Sequence, residues 1–234
     1  MAASCLLYYI TDRRALAVDE PARRRSLLQK IGEAARAGID YIQLREKDLP
    51  TRELESLARE SVRILVQLRT ENRGLRTKLL INSRTDVALA AGADGVHLRS
   101  DDLAPEQVRK IWSCGAGSPA RGSREAPLIG ASCHSVKEIA WAEAHGATFA
   151  VFAPVFEKKE LAEQRPAGLI GLRQASNAEI PVLALGGVTL GNAGQCLDAG
   201  AAGIAAIRLF QDNDIAKVVA QLRACGPTRL QSAG

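Results

Sequence analysis

Aromatic residues make up only 4 % of the 234-residue chain, as two Trp, three Tyr and four Phe. So thin a supply leaves no row of rings on which nucleic-acid bases could stack, and no nucleic-acid-binding motif is present. No run of 18 apolar residues occurs, so the sequence offers no single apolar helix of bilayer length. Only three histidines are available for proton transfer near neutral pH: His97, His134 and His145. The five cysteines (Cys5, Cys114, Cys133, Cys196, Cys225) are odd in number and lack metal-ligand spacing. They read as reduced thiols rather than a disulfide framework. The chain opens on a strand-like Leu6–Ile10 rather than a signal peptide. These features predict a cytoplasmic protein with neither a membrane nor a nucleic-acid partner; association into a homo-oligomer stays open. A net charge of +5 leans weakly towards an anionic ligand. Many basic residues, such as Arg23, Arg24 and Arg25, read instead as a solvated helix face.

What the chain does have is an internal period. Gly38-Ile39-Asp40-Tyr41-Ile42, Gly92-Ala93-Asp94-Gly95-Val96, Gly146-Ala147-Thr148-Phe149-Ala150 and Gly200-Ala201-Ala202-Gly203-Ile204 recur with a step of 54 residues. A small-residue helix precedes each glycine and a short apolar run follows it. The pattern is that of a helix stop, a tight turn and a buried strand. Between the repeats lie further apolar runs at 79–82, 128–132 and 181–187. With Leu6–Ile10 this makes eight strands, each followed by a helical stretch: 22–37, 51–70, 85–91, 105–112, 136–145, 167–177, 190–199 and 213–224. Continuous apolar strands suit a sheet covered on both faces. Eight βα units in one chain of this length predict a single (β/α)8 TIM barrel domain over 1–234; a doubly wound open sheet is the alternative. Gly115–Pro127 reads as an exposed loop after helix four, and Pro154–Arg165 as the loop after strand six.

Barrel chemistry sits at the C-terminal ends of the strands. Strand two ends Gln43-Leu44-Arg45-Glu46-Lys47, and alternation sends Gln43, Arg45 and Lys47 the same way. Polar groups there are costly without partners, so they are expected at the mouth as anion binders. The competing reading is a rim salt-bridge cluster with Glu46 and Asp48. Gly186-Gly187, ending strand seven, has no side chains to block approach of an anion to backbone N–H groups. With Ile207 and Arg208 at the end of strand eight it is the expected phosphate site, and Gly187→Val is expected to empty it while leaving the fold intact. His134, just past strand five, is placed for general acid–base work. Its competing reading is a cap, with Ser135 and Glu138 forming a capping box. His97 is expected to orient neighbours at a strand end, and His145 to be structural.

Taken in order, Tyr9-Ile10-Thr11-Asp12, Gln43-Leu44-Arg45-Glu46-Lys47, Asn82-Ser83-Arg84, Ala93-Asp94-Gly95-Val96-His97-Leu98, Gly130-Ala131-Ser132-Cys133-His134-Ser135, Pro154-Val155-Phe156 and Gly186-Gly187-Val188 resemble the thiamin phosphate synthase and thiazole tautomerase superfamily. The ordered set spans about residues 6 to 210. The resemblance implies a barrel that acts on a phosphorylated thiazole in thiamin biosynthesis. In the synthases, Gln43, Arg45, Lys47, Asn82 and Asp102 match positions for the diphosphate, the pyrimidine or a Mg²⁺ ion, and Ser132 a position near the reacting groups.

Several positions depart from the synthase pattern. Ser83 stands where an aspartate is usual, which removes a hard oxygen ligand for Mg²⁺. Glu157-Lys158-Lys159-Glu160 replaces a Thr-x-Thr-Lys segment, with Lys158 or Lys159 as stand-ins for its lysine. Arg99-Ser100 replaces Gly-Gln, and Arg208 replaces a serine. Val155-Phe156-Glu157 and His134 resemble the tautomerase branch. The first expectation is therefore a metal-free tautomerase aromatising a thiazole carboxylate phosphate, with His134, Ser132 and Lys47 as its catalytic set. A divergent synthase using Mg²⁺, with Asp102 as a ligand, is the alternative; a phosphate-binding regulatory protein without turnover is the third reading.

Overall fold

The computed structural model describes residues 5–114, 126–157 and 166–225. Lys158, Lys159 and most of the Gly115–Pro127 loop lie outside them. Eight parallel strands close into a barrel in the order β1 to β8, β1 (Leu6–Ile10) pairing with both β2 (Tyr41–Leu44) and β8 (Gly203–Ala206). The remaining strands are β3 (Lys78–Asn82), β4 (Gly95–Leu98), β5 (Leu128–Cys133), β6 (Phe149–Phe152) and β7 (Val182–Ala184). Helices α1 (Glu20–Ala37), α2 (Thr51–Glu71), α3 (Thr85–Ala91), α4 (Pro105–Cys114), α5 (Val136–Ala144), α6 (Gly168–Ala175) and α7 (Ala193–Asp198) follow the first seven strands. After β8 come α8 (Arg208–Gln211) and α9 (Ile215–Ala224). This is the (β/α)8 barrel that the 54-residue period predicts. No described helix is long and apolar enough to cross a membrane.

The four repeat glycines explain the period. Gly38, Gly92, Gly146 and Gly200 have φ of 89°, 72°, 85° and 99°, the left-handed conformation that ends a helix and turns the chain into the next strand. The residue two places on braces the N-terminal end of the barrel. Asp40 accepts a hydrogen bond from the Leu7 N–H at 2.7 Å, Asp94 from Leu79 at 2.9 Å and Thr148 from Ile129 at 3.0 Å. Each side chain thus clamps the preceding strand. Ala202 has no such group, and there the backbone alone makes the link.

Alternation divides the strand side chains between two cores. Tyr8, Ile10, Leu80, Phe149, Val151, Leu183 and Ala205 fill the barrel interior, while the outward set packs beneath the helices. Tyr41 and Phe149 stack at 5.1 Å across the interior. Three of the nine aromatics, Tyr8, Tyr41 and Phe149, therefore plug the lower barrel, and polar side chains occupy the layer above.

Two details differ from the sequence expectation. Strand eight stops at Ala206; Ile207 is the N-cap of α8 and exposed Arg208 opens that helix. A 3-10 turn at Arg13–Ala15 follows β1 before α1 begins.

Candidate active site

The interior layer nearest the C-terminal mouth is polar. The Gln43 amide donates to the Tyr8 hydroxyl at 3.1 Å, and His97 Nε2 lies 2.8 Å from Ser132 Oγ. Both Gln43 and His97 are buried, as is Tyr8. Asn82 shares the inward face of β3 with Leu80, and its amide donates to Ser83 Oγ at 3.1 Å. Gln43, Asn82, His97 and Ser132 are thus gathered at the barrel mouth by four neighbouring strands, as their places at strand ends predict.

Burial pushes the His97 imidazole down to about 3, and the nearby Arg45 charge pushes the same way. The ring is therefore neutral at physiological pH. Its Nδ1 has no hydrogen-bond partner and faces Gly130, where a β-carbon would come within 2.7 Å of it. An orphaned buried N–H is rarer in proteins than an under-used acceptor. That argument puts the proton on Nε2, donating to Ser132 Oγ and freeing the serine O–H to donate into the mouth. Accordingly, nitrogen NMR of His97 should show one neutral Nε2–H tautomer with no titration between about pH 5 and 8. A midpoint inside that range would refute both the charge state and the serine's orientation.

Above this layer Glu46 and Asp48 turn away from Arg45 and Lys47. The Glu46 carboxylate accepts from Thr11 Oγ1 at 2.5 Å, from the Arg13 N–H at 3.2 Å and from Arg13 Nη1 at 3.1 Å. Arg13 also forks onto Asp48 at 2.7 and 3.0 Å and onto Glu20 at 2.7 and 3.1 Å. The expected alternative, a rim cluster of Glu46 and Asp48 with Arg45 and Lys47, does not form: both carboxylates belong to Arg13. Neither Arg45 nor Lys47 has an ion pair among the described residues. Burial lowers the Lys47 ammonium from its ordinary range and repulsion from Arg45 and Arg99 lowers it further, with Asp101 and Asp102 offsetting part of the shift. Two unpaired cations and the carboxylate-paired Arg99 thus share one side of the mouth, a field suited to a polyanion.

Arg13 is the residue that the strand-end reading missed. Its only sequence signal was its place directly after β1, in Thr11-Asp12-Arg13; nothing in the sequence pairs it with Glu46.

Asp102 is turned back on its own loop. One oxygen accepts from the Arg99 N–H at 2.7 Å, and the other lies 3.5 Å from the Arg99 guanidinium. Arg99 also pairs with Asp101 at 3.0 Å.

On the opposite side, Gly186 and Gly187 have φ of 97° and 65°. A β-carbon on Gly187 would fall 2.7 Å from Phe156 Cβ and 2.9 Å from the Glu157 carbonyl oxygen. The pair is therefore needed to pack β7 against the β6 loop, and Gly187→Val would disturb that packing as well, contrary to the sequence expectation. No hydrogen bond among the described residues uses the N–H of Gly186, Gly187 or Val188. Partly buried Ile207 joins the interior cluster beside them.

His134 is exposed. Its Nδ1 bonds the Ala153 carbonyl at 2.7 Å, which ties β5 to the end of β6, and its backbone N–H donates to Glu138 at 2.7 Å. Ser135 caps α5 by accepting from the Glu138 N–H at 3.2 Å. The capping reading thus describes this loop, although His134 Nε2 carries no bond. His145 stacks on Trp141 at 4.2 Å on the outer surface, a structural placement as expected. A mainly apolar recess of about 150 Å³ lies outside the barrel wall, between outward-facing Leu98 and Cys133 and the helix residue Trp141. Its lining reaches Ser132 of the polar layer and Arg99 at the mouth.

A family profile described as thiamine monophosphate synthase matches residues 7–210. The chain belongs to the thiamine monophosphate synthase family. It is 39 % identical over 226 residues to a putative thiamine-phosphate synthase of Geobacter sulfurreducens, covering 95 % of both chains. It is 35 % identical over 204 residues to the thiamine-phosphate synthase of Roseiflexus castenholzii, covering 86 % of this chain and 79 % of the relative. Among solved structures, it matches a thiamine phosphate pyrophosphorylase from Pyrococcus furiosus with a TM-score of 0.74 and 30 % identity, covering 95 % of this chain and 96 % of the other. The resemblance to the superfamily thus holds, and membership places the chain in thiamin biosynthesis. These relatives carry the name of a transferase and lend no support to the finer expectation of a tautomerase.

Proposed function

We propose that this protein is a thiamine-phosphate synthase, which joins hydroxymethylpyrimidine diphosphate to thiazole phosphate and releases pyrophosphate. The observation that carries the reading is the pair of unpartnered cations, Arg45 and Lys47, beside the polar layer of Gln43, Asn82, His97 and Ser132. In the reaction the bond between the pyrimidine methylene carbon and the diphosphate oxygen breaks, and its electron pair leaves with the diphosphate. The thiazole nitrogen lone pair then forms the new C–N bond. Charge grows on the departing diphosphate, so fixed cations aimed there lower the barrier. Arg45 supplies a planar fork and Lys47 a compact charge. The Ser132 hydroxyl and the Gln43 and Asn82 amides orient the pyrimidine. Thiazole phosphate takes the free N–H groups of Gly186, Gly187 and Val188 across the mouth, beside Ile207 and the start of α8 at Arg208.

This reading needs no base to activate the nucleophile, because the thiazole nitrogen already carries its lone pair. His134 is then a loop clamp rather than a shuttle. The family resemblance implies Mg²⁺, but the residues do not fit a protein-held ion. Among the described residues no three acidic, histidine or cysteine side chains converge. Ser83 brings no carboxylate, and Asp102 is engaged by Arg99.

The deciding assay supplies purified protein with both substrates and follows pyrophosphate and thiamin phosphate together. Stoichiometric appearance of both is expected. Aromatisation of thiazole carboxylate phosphate without the pyrimidine substrate would return the tautomerase reading. Ligand binding without turnover of either kind would favour a regulatory protein.

A further inference from the structure

We propose that Arg99 takes the place of a divalent cation at the diphosphate end of this site, so that pyrophosphate is held by Arg45, Lys47 and Arg99 without a metal. The inference rests on the synthase reading and specifies how the leaving group is bound. Its starting point is the mismatch between the mouth and a hard cation. Mg²⁺ bound by protein and phosphate together ordinarily takes one or two carboxylates. Here position 83 is a serine, and the Asp102 carboxylate is spent on Arg99.

The positive charge that a metal would bring is present in another form. Asp101 and Asp102 lie 3.0 and 3.5 Å from the same nitrogen, Nη2 of Arg99, and so hold one edge of the guanidinium. Its Nε and Nη1 carry no hydrogen bond among the described residues, leaving donors for phosphate oxygens. Arg99 is close enough to Lys47 to oppose its charge, as is Arg45. Asp101 and Asp102 offset only part of that repulsion, and a diphosphate between the three cations would offset more. Two carboxylates gripping a cation that faces a diphosphate reproduce the charge order of a metal site, with guanidinium as the central ion. Ser83 fits the exchange. A second carboxylate at that position would draw a metal in, and a serine does not.

Titration calorimetry with sodium pyrophosphate provides the test, on the whole protein, in EDTA and again in excess Mg²⁺. Pyrophosphate should bind in EDTA with an affinity close to that in Mg²⁺. Arg99→Gln, which changes a half-exposed side chain, should weaken binding in EDTA by about tenfold to 100-fold, the loss expected for charge-assisted hydrogen bonds. Arg99→Lys should recover part of it. Ser83 has φ of 61°, a conformation that aspartate tolerates better than most residues. The pair Ser83→Asp with Arg99→Gln should therefore convert the site to one that binds pyrophosphate only with Mg²⁺. Binding by the unmodified protein that requires Mg²⁺ would overturn the proposal and leave the synthase reading standing. No binding in either buffer would overturn both. Undiminished binding by folded Arg99→Gln in EDTA would remove Arg99 from the role.

Discussion

Replacing Arg45 by glutamine should lower kcat/KM for thiamin phosphate formation by about 10²–10³-fold, the usual effect of deleting one donor aimed at developing charge. Several observations set the size. Arg45 is half-buried, its charge reaches buried His97, and it has no carboxylate partner that its loss would leave unpaired. The change therefore removes ligand interactions without creating a stranded anion, and stability should move little. Because the charge grows as the C–O bond breaks, most of the loss should fall on kcat rather than KM. Lys47→Gln should cost less, since Lys47 is exposed and solvent screens its charge. The two are neighbours, so their effects should not add. A pH profile separates a charge role from a packing role. Arg45 is one of the groups that hold the Lys47 pKa down. Its removal should raise that pKa and carry the alkaline limb of the activity profile to higher pH. Arg45→Lys should restore the charge but not the fork, and so only part of the rate. Full activity in a folded Arg45→Gln protein would take this side of the mouth out of the mechanism.

The barrel was legible because its cause is local and repeated. A left-handed glycine at every second helix end leaves the same trace every 54 residues, and in three of the four repeats an aspartate or threonine follows two residues later. Continuous apolar strands add the second sign. What escaped was short: the 3-10 turn after β1 and the four-residue α8, neither long enough to show a helical period. The mouth was legible in part for the same reason. Side-chain alternation in a strand is enough to send Gln43, Arg45, His97 and Ser132 inward.

Partner choice was not legible, because it joins residues far apart in the chain. Glu46 and Asp48 were as available to Arg45 and Lys47 as to Arg13 on paper. The turn after β1 brings the Arg13 guanidinium to both, and this leaves the mouth cations unpaired. The same limit applies to Asp102. Its number in the motif suggests a metal ligand, but its contacts are with Arg99. At His134 the sequence carried two signals, a histidine on the catalytic face and a Ser-x-x-Glu cap. Only contacts to Ala153 and Glu138 show that the cap is built.

Arg13→Met should destabilise the protein by about 3–5 kcal/mol, the cost of stranding one partner of a buried ion pair. The Arg13 side chain is 3 % exposed and that of Glu46 2 %, so water cannot take over the lost contacts. The links to Glu20 and Asp48 count for little in that sum, since those carboxylates are 45 % and 44 % exposed and can rehydrate. Burial already pushes the Glu46 carboxyl up, while Thr11 and Arg13 pull it back. Without the guanidinium it should rise further. A carboxyl with a raised folded pKa favours the native state only while protonated. Stability of Arg13→Met should therefore fall as pH climbs from the ordinary glutamate value of about 4.3 towards the raised one. Urea midpoints across pH would show the slope. Adding Glu46→Gln should recover most of the stability and flatten the slope, because the stranded charge is gone while the amide can still bond Thr11. Activity should not return with it. Arg13 holds the chain on both sides of Lys47, through Glu46 and Asp48, and the double variant frees that loop. A double variant that regains both stability and kcat/KM would show that Arg13 only supports the fold and does not position the mouth cations.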